Sequence, residues 1–339
     1  MLPKVVIIIL NYNNWRDTIK CLESVLKVRY SNFSVVLIDN GSFNDSVIKI
    51  KDWIKNRLKL KEVEREIFVA EHKINLIFES EKLVFMSTDR NLGFSGGNNI
   101  GFEYSLFHLS NVDYIFLLNN DTVIDPNCIS TCLEIAQKCK ADIVGALILN
   151  ENGDKVIFSG ARFPAELFWK YKEKIPKDIG IEYWDTDRVE GSGMLISKTV
   201  LEVRKKNFKF YFDPTLFLYG EDLELCISAK KLGFKSVIAK KAVIYHKPGS
   251  SAGGQLSPLS VYYGTRNRIL LAKKFLPTWQ KLLYFVLNIT ASLVKIILYK
   301  VTGKNLLVKA KLDGLIDGYK GIMGKWSKHE KYIHLIYKN

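Results

Sequence analysis

The chain has 339 residues, 47% of them hydrophobic, with 50 Lys and Arg against 35 Asp and Glu and a formal charge of +15. That apolar content is too high for a disordered chain and too low for a polytopic membrane protein, and the length allows one large domain or two modest ones. The basic balance favours an anionic partner: nucleic acid, an acidic membrane or a phosphorylated substrate.

Met1-Leu2-Pro3-Lys4 leads straight into the apolar run Val5 to Leu10, which ends in Asn11-Tyr12-Asn13-Asn14 rather than in a small-residue cleavage site. No signal peptide is expected, and the first strand starts near residue 4. Asn14 is the expected N-cap of a helix to about Lys27, with Asp17 completing a weak capping box. Ser34 to Ile38 is a second strand, ending in Asp39-Asn40-Gly41-Ser42, and a helix follows over 46–57. Residues 60–82 are charged and fit either a helix or a hairpin of Ile67–Ala70 against Ile74–Phe78.

Leu83 to Met86 is a strand, followed by Asn91-Leu92-Gly93-Phe94-Ser95-Gly96-Gly97 and a helix to about His108. Tyr114 to Leu118 lacks polar alternation and predicts a central strand buried on both faces, running into Asn119-Asn120-Asp121. Asp125-Pro126 opens a helix through Lys138, and a strand covers Ile143 to Leu149. Cys128, Cys132 and Cys139 fall at helical intervals, so all five cysteines read as reduced structural thiols of a cytosolic protein.

The aromatic segment Val156 to Glu190 is expected to cover the sheet. Gly191-Ser192-Gly193 enters a short strand, Leu216 to Tyr219 reads as an aromatic strand, and Glu221-Asp222 opens a helix closed by Gly233. Phe234–Ala239 and Ala242–Tyr245 are strand-like, with His246 and a Gly/Ser-rich loop after them. The alternation predicts an α/β fold with a mostly parallel central sheet flanked by helices, and a C-terminal helical extension.

The region 282–299 is apolar but interrupted by Asn288, Thr290, Ser292 and Lys295, and from Lys295 onward ten lysines face three acidic residues. A helix lying on an anionic membrane fits this better than a span. Pairing of two chains through these helices is the competing expectation.

Polar groups recur at four strand ends, which a parallel sheet gathers on one edge, where open α/β sheets place ligands. Gly93, Gly96 and Gly97 allow close backbone approach and, with the helix after them, an anion cradle. Asp121 is the natural ligand for Mg²⁺ or Mn²⁺ shared with phosphate oxygens, and His246 is a second metal or phosphate candidate. Glu221 and Asp222, at a helix start, are placed for base chemistry. A nucleotidyltransferase would need a Gly/Arg-rich loop after the first strand, and a nucleic-acid binder a basic patch interleaved with aromatics; neither is present. A non-catalytic or hydrolytic nucleotide-sugar binder remains the alternative.

Leu-Asn-Tyr-Asn at 10–13, Leu-Ile-Asp-Asn-Gly-Ser at 37–42, Asn-Leu-Gly-Phe-Ser-Gly-Gly-Asn-Asn at 91–99, Leu-Leu-Asn-Asn-Asp-Thr at 117–122 and Tyr-Gly-Glu-Asp-Leu-Glu-Leu-Cys at 219–226 stand in one order. Together they resemble the family 2 glycosyltransferases, in their rhamnosyltransferase-like branch. The resemblance implies a GT-A domain over 1–275, with a nucleotide-sugar half (1–122) and an acceptor half (123–275), followed by a membrane-associating region (276–339). It implies an inverting transfer from dTDP-rhamnose, a UDP-hexose or a UDP-N-acetylhexosamine to a glycan or polyprenyl-diphosphate-linked acceptor, at the inner face of the cell membrane. Asp222 matches the general base, beside Glu221. Tyr12 and Asp39 match the nucleobase contacts, and Asn91 and Gly97 the nucleotide lining. Asn11 and Asn120 belong to the same donor edge. Gly191 matches the loop beneath donor and acceptor, and Arg266 a position near the diphosphate. Asp121 is the last position of the metal motif, completed by His246; Asn119 stands where that motif has its first carboxylate.

Overall fold

The computed structural model describes residues 2–168, 173–178, 180–247 and 256–336. The first part alternates strand and helix: β1 (Val5–Asn11), α1 (Trp15–Val25), β2 (Phe33–Asp39), α2 (Ser46–Leu58), β3 (Glu62–Val69), β4 (His72–Glu79), β5 (Leu83–Thr88), α3 (Gly93–His108) and β6 (Tyr114–Asn119). Then come β7 (Thr122–Ile124), α4 (Cys128–Cys139), β8 (Ile143–Asn150), β9 (Val156–Phe158), α5 (Ala165–Phe168), β10 (Tyr183–Asp185), β11 (Gly193–Ser197), α6 (Lys198–Phe208), a 3-10 turn at Pro214–Leu216, α7 (Glu221–Lys231) and β12 (Ser236–His246). The chain ends in α8 (Pro258–Phe275), α9 (Thr278–Val301), α10 (Asn305–Lys320) and α11 (His329–Ile336).

One sheet runs in the order β10-β12-β8-β11-β6-β1-β2-β5-β4-β3, with β7 on β12 and β9 on β8. It is mixed, which corrects the expectation of a mostly parallel sheet. Helical crossovers make β6, β1, β2 and β5 parallel, and likewise β8 and β12. The long irregular return after β8 brings β11 in from the opposite end, antiparallel to both β6 and β8. Residues 60–82 form the β3–β4 hairpin, turning at Ala70 and Glu71, both at positive φ. Val5–Ile9 and Ile115–Leu118 are buried on both faces, as strands covered by helices require.

Other expectations shift. The segment after Val156 joins the sheet edge, since β10 pairs with β12. Leu216–Tyr219 is no strand: Leu216 ends the 3-10 turn, and Phe217 and Tyr219 after it stand at positive φ. α4 starts at Cys128, because the Asp125 side chain accepts from Asn127 N (2.8 Å) in a turn before it. The cysteines are free thiols, with Cys128 and Cys132 buried on one face of α4.

The C-terminal helices add two smaller cores. Gly314 and Gly318 let α10 lie against α8; a Cβ on Gly314 would stand 2.8 Å from Tyr262 O. Trp326 stacks on Tyr262 (4.2 Å between centroids), and His329 Nδ1 pairs with Tyr263 Oη at 3.0 Å. The end of the region expected to be membrane-associating thus packs onto α8 and Phe217, in a cluster that Tyr12 also joins.

Candidate active site

The parallel register sets Asn11 beside Asp39 and Leu10 beside Asn119. Asn11 Nδ2 donates to Asp39 Oδ2 (2.6 Å), Ser42 N and Oγ donate to Asp39 (2.9 and 2.7 Å), and Thr18 Oγ1 donates to Asn11 Oδ1 (2.8 Å). Asn120 Nδ2 closes the network on Thr18 Oγ1 at 2.9 Å. Asn11, Asp39 and Asn120 are therefore an internal brace under the edge. Asp39 is 1% exposed. Three internal donors already hold its carboxylate. Burial pushes its carboxyl up, and those hydrogen bonds oppose the shift.

The glycines also differ from an anion cradle. Gly93 starts α3 at φ +75°, where a Cβ would stand 2.3 Å from Phe217 O, and a Cβ on Gly97 would stand 2.6 Å from Leu10 Cδ1. They seat α3 on β1 and on the Phe217 bend. The first amides are engaged: Gly93 N donates to Asn91 Oδ1 (2.8 Å) and Ser95 N to Phe217 O (3.3 Å). Tyr12 does meet Asn91, through its hydroxyl, and its ring lies edge-on to Phe43 at 6.2 Å. Arg266 is fully buried, donating to Asn267 Oδ1 (2.8 Å), Leu216 O (2.8 Å) and Gly324 O. It ties α8 to the 3-10 turn and the C-terminal segment.

Asp121 and His246 do come together. β7 pairs with β12 so that Thr122 faces His246, and Asp121 Oδ1 lies 3.1 Å from His246 Nε2. Burial pulls the imidazole pKa down, but the Asp121 carboxylate outweighs it and the net direction is up. His246 Nδ1 is buried without a partner among the described residues, while Nε2 faces the Asp121 carboxylate. An imidazole with an unengaged ring nitrogen and a neighbouring carboxylate are donors of the kind a divalent cation takes. Among the described residues no cluster of three or more His, Cys, Asp or Glu offers a metal cage, so the remaining ligands would come from diphosphate and water. Lys20 and Lys247 line an adjoining cavity of about 290 Å³ that reaches Asp121. The Gly/Ser-rich loop at 248–255 lies outside the described residues.

Asp222 sits in the first turn of α7, its Oδ1 accepting from Leu223 N (2.7 Å). Its Oδ2 accepts from Arg188 Nε (3.1 Å) and Nη2 (2.8 Å). Arg188 also pairs with Glu166 of α5. Gly191 is close by: a Cβ there would lie 3.4 Å from Phe94 and 4.0 Å from Asp222 Cβ. Glu221 is buried, with Oε2 unpartnered. Burial and the neighbouring Asp222 push its carboxyl up to about 8. Glu190 is pushed up too, by burial, against the pull of Arg188; the field of His246 reaches it. Glu190 therefore feels Arg188 and Asp222 on one hand and His246 on the other. α7 is anchored by a fully buried ion pair, Arg204 Nη2 to Glu224 Oε2 at 2.7 Å.

Arg188, Glu166 and Glu190 escape the sequence reading. They stand in an irregular segment without period or motif; the nearest signal is charge packed just before Gly191-Ser192-Gly193.

Residues 3–268 match the family described as "Glycosyltransferase like family 2". The chain is 25% identical over 336 residues, 96% of its length and 94% of the relative's, to the low-salt glycan biosynthesis hexosyltransferase Agl10 of Haloferax volcanii. Its fold is similar to the mannosyltransferase PcManGT of Pyrobaculum calidifontis, solved with GDP-Man and Mn²⁺ (TM-score 0.56, 10% identity, 94% of this chain and 88% of that one). It is also similar to GalNAc-T7, solved with UDP, GalNAc and Mn²⁺ (TM-score 0.54, 15% identity, 72% of this chain and 44% of that one).

Proposed function

Since this chain belongs to glycosyltransferase family 2, we propose that it moves a sugar from a nucleoside-diphosphate donor to a hydroxyl of a glycan or lipid-linked saccharide, with inversion. The observation that carries the reading is two ion pairs, Asp121–His246 and Arg188–Asp222, whose members His246, Arg188 and Asp222 all act electrostatically on Glu190. One pair suits a leaving diphosphate and the other an incoming hydroxyl. The donor is a nucleoside-diphosphate hexose, in keeping with the hexosyltransferase Agl10; dTDP-rhamnose, from the branch resemblance, is the second choice. Residues 1–122 hold the donor, with Tyr12 and Asn91 beside the nucleoside, and 123–275 supply the acceptor side.

Asp222 takes the acceptor's proton as that oxygen attacks the anomeric carbon from the face opposite the diphosphate. A single displacement of this kind needs no protein nucleophile. Glu221 and Glu190 line the approach and suit sugar hydroxyls. Asp121 and His246 would hold a divalent cation, Mg²⁺ or Mn²⁺, which when bound supplies neutralisation of charge on the leaving diphosphate.

The membrane reading rests on α9. It has 24 residues, about 36 Å at about 1.5 Å per residue, long and apolar enough to cross a bilayer. Yet Tyr284 and Ser292 are buried along one stripe, and Tyr319 Oη of α10 donates to Phe285 O at 3.4 Å. The charged α10 therefore accompanies it. We read α9 as lying on the anionic inner face of the cell membrane, with a lipid-linked acceptor delivered there.

The test is a thermal-shift screen of nucleoside diphosphates and sugar nucleotides with and without Mn²⁺. The reading predicts stabilisation by one nucleoside diphosphate and its sugar conjugate, larger with metal. No response to any of them would refute it.

A further inference from the structure

We infer that Arg188 is a positioning residue that aims Asp222 so that a single site on its carboxylate, at Oδ1, is left for the acceptor's proton. The inference rests on the reading of Asp222 as the base. An ionised carboxylate offers about four lone-pair sites, two on each oxygen. Arg188 Nε and Nη2 take both on Oδ2, at 3.1 and 2.8 Å, and Leu223 N takes one on Oδ1 at 2.7 Å. Among the described residues, one site on Oδ1 remains. The hydroxyl proton passes to it as the hydroxyl oxygen bonds to the anomeric carbon, the carbon–diphosphate bond breaks, and its electron pair leaves with the diphosphate.

A guanidinium against a base presents a conflict. Its fork fixes the carboxylate, but its charge favours the ionised form and so weakens proton uptake. Glu166 resolves this by sharing the guanidinium: Arg188 Nη1 donates to Glu166 Oε1, and Glu166 Oε2 is buried with no partner among the described residues. Arg188 therefore serves two carboxylates, and Asp222 feels only part of its charge. Glu166 is held in turn by Arg268 of α8, which donates to its backbone carbonyl. Asp222 is faced by Arg188 and Glu190 from the turn before β11, by Glu166 from α5, and by Glu221 and Cys226 on its own helix.

The two partners of the guanidinium then have opposite signatures. Replacing Arg188 by Gln removes the cation, so the acid limb of the pH dependence of kcat/KM for transfer moves to higher pH by about one to three units. Donor KM stays put while kcat falls. Replacing Glu166 by Gln leaves the guanidinium to Asp222 alone, and the limb moves to lower pH. Measuring both in the Glu221→Gln background separates the two adjacent carboxyls of α7. If Arg188→Gln does not fold, Glu166→Gln still carries the sign, and Arg188→Lys, which keeps charge but loses the fork, should leave the limb near wild type with reduced kcat. Acid limbs that coincide in wild type and both Gln variants would overturn the assignment of Arg188 alone. An Asp222→Asn variant that transfers sugar at the wild-type rate would overturn the base itself and this inference with it.

Discussion

At the scale of single residues, Glu221 makes the sharpest claim about pH. Its native carboxyl is raised from 4.5 to about 8, by burial first and Asp222 second. The folded state therefore keeps a proton that the unfolded chain has lost, and stability falls as pH rises between those values, by at most about 1.4 kcal/mol per pH unit. Urea denaturation followed across that window should show this decline in wild type and a shallower one in Glu221→Gln; an unchanged slope would mean that Glu221 is not protonated in the native state. The sequence singles out Asp121, His246 and Asp222 because each stands at or beside the end of a regular element, which fixes where a side chain emerges. The internal hydrogen bonds of Asp39 and Arg266 were not legible, for a physical reason. A motif names a residue type, but not whether its hydrogen bonds are already spent on neighbours such as Ser42 and Leu216. Arg188 was invisible because the segment around it has no periodicity.

At the scale of elements, helices and buried parallel strands were readable from hydrophobic pattern alone, since Val5–Ile9 and Ile115–Leu118 have no polar face. Strand direction was less readable. β11 is five residues long and antiparallel to both neighbours, and nothing within it records which way the irregular segment returns. The glycines of α3 were correctly singled out but for another reason: they serve packing. Gly93→Ala meets both a left-handed backbone and the Phe217 carbonyl, and should cost about 2–5 kcal/mol. Gly97→Ala keeps an ordinary backbone conformation and meets the end of the Leu10 side chain and, at 3.1 Å, the Asn40 side chain, and should cost about 1–3 kcal/mol. Equal midpoints for the two variants in thermal denaturation would contradict this account of how α3 is seated.

At the scale of the whole molecule, the catalytic body and the C-terminal helices are joined by packing that composition did not reveal: Trp326 and His329 fold back onto α8, near Tyr12. α9 remains the exception, with Val286, Leu293 and Ile297 all more than half exposed on the face opposite Tyr284. Converting those three to Glu should abolish co-sedimentation with anionic vesicles while soluble-donor binding persists. If the variant sediments like wild type, or if instead a wild-type dimer becomes monomeric, the face pairs chains rather than lipid. The central claim concerns turnover by the whole enzyme, and Asp222→Asn tests it most directly. Transfer and donor binding would be measured side by side on the folded variant. Transfer should fall by about a hundredfold or more, the scale of a lost general base, with donor affinity retained. Transfer at the wild-type rate would contradict it.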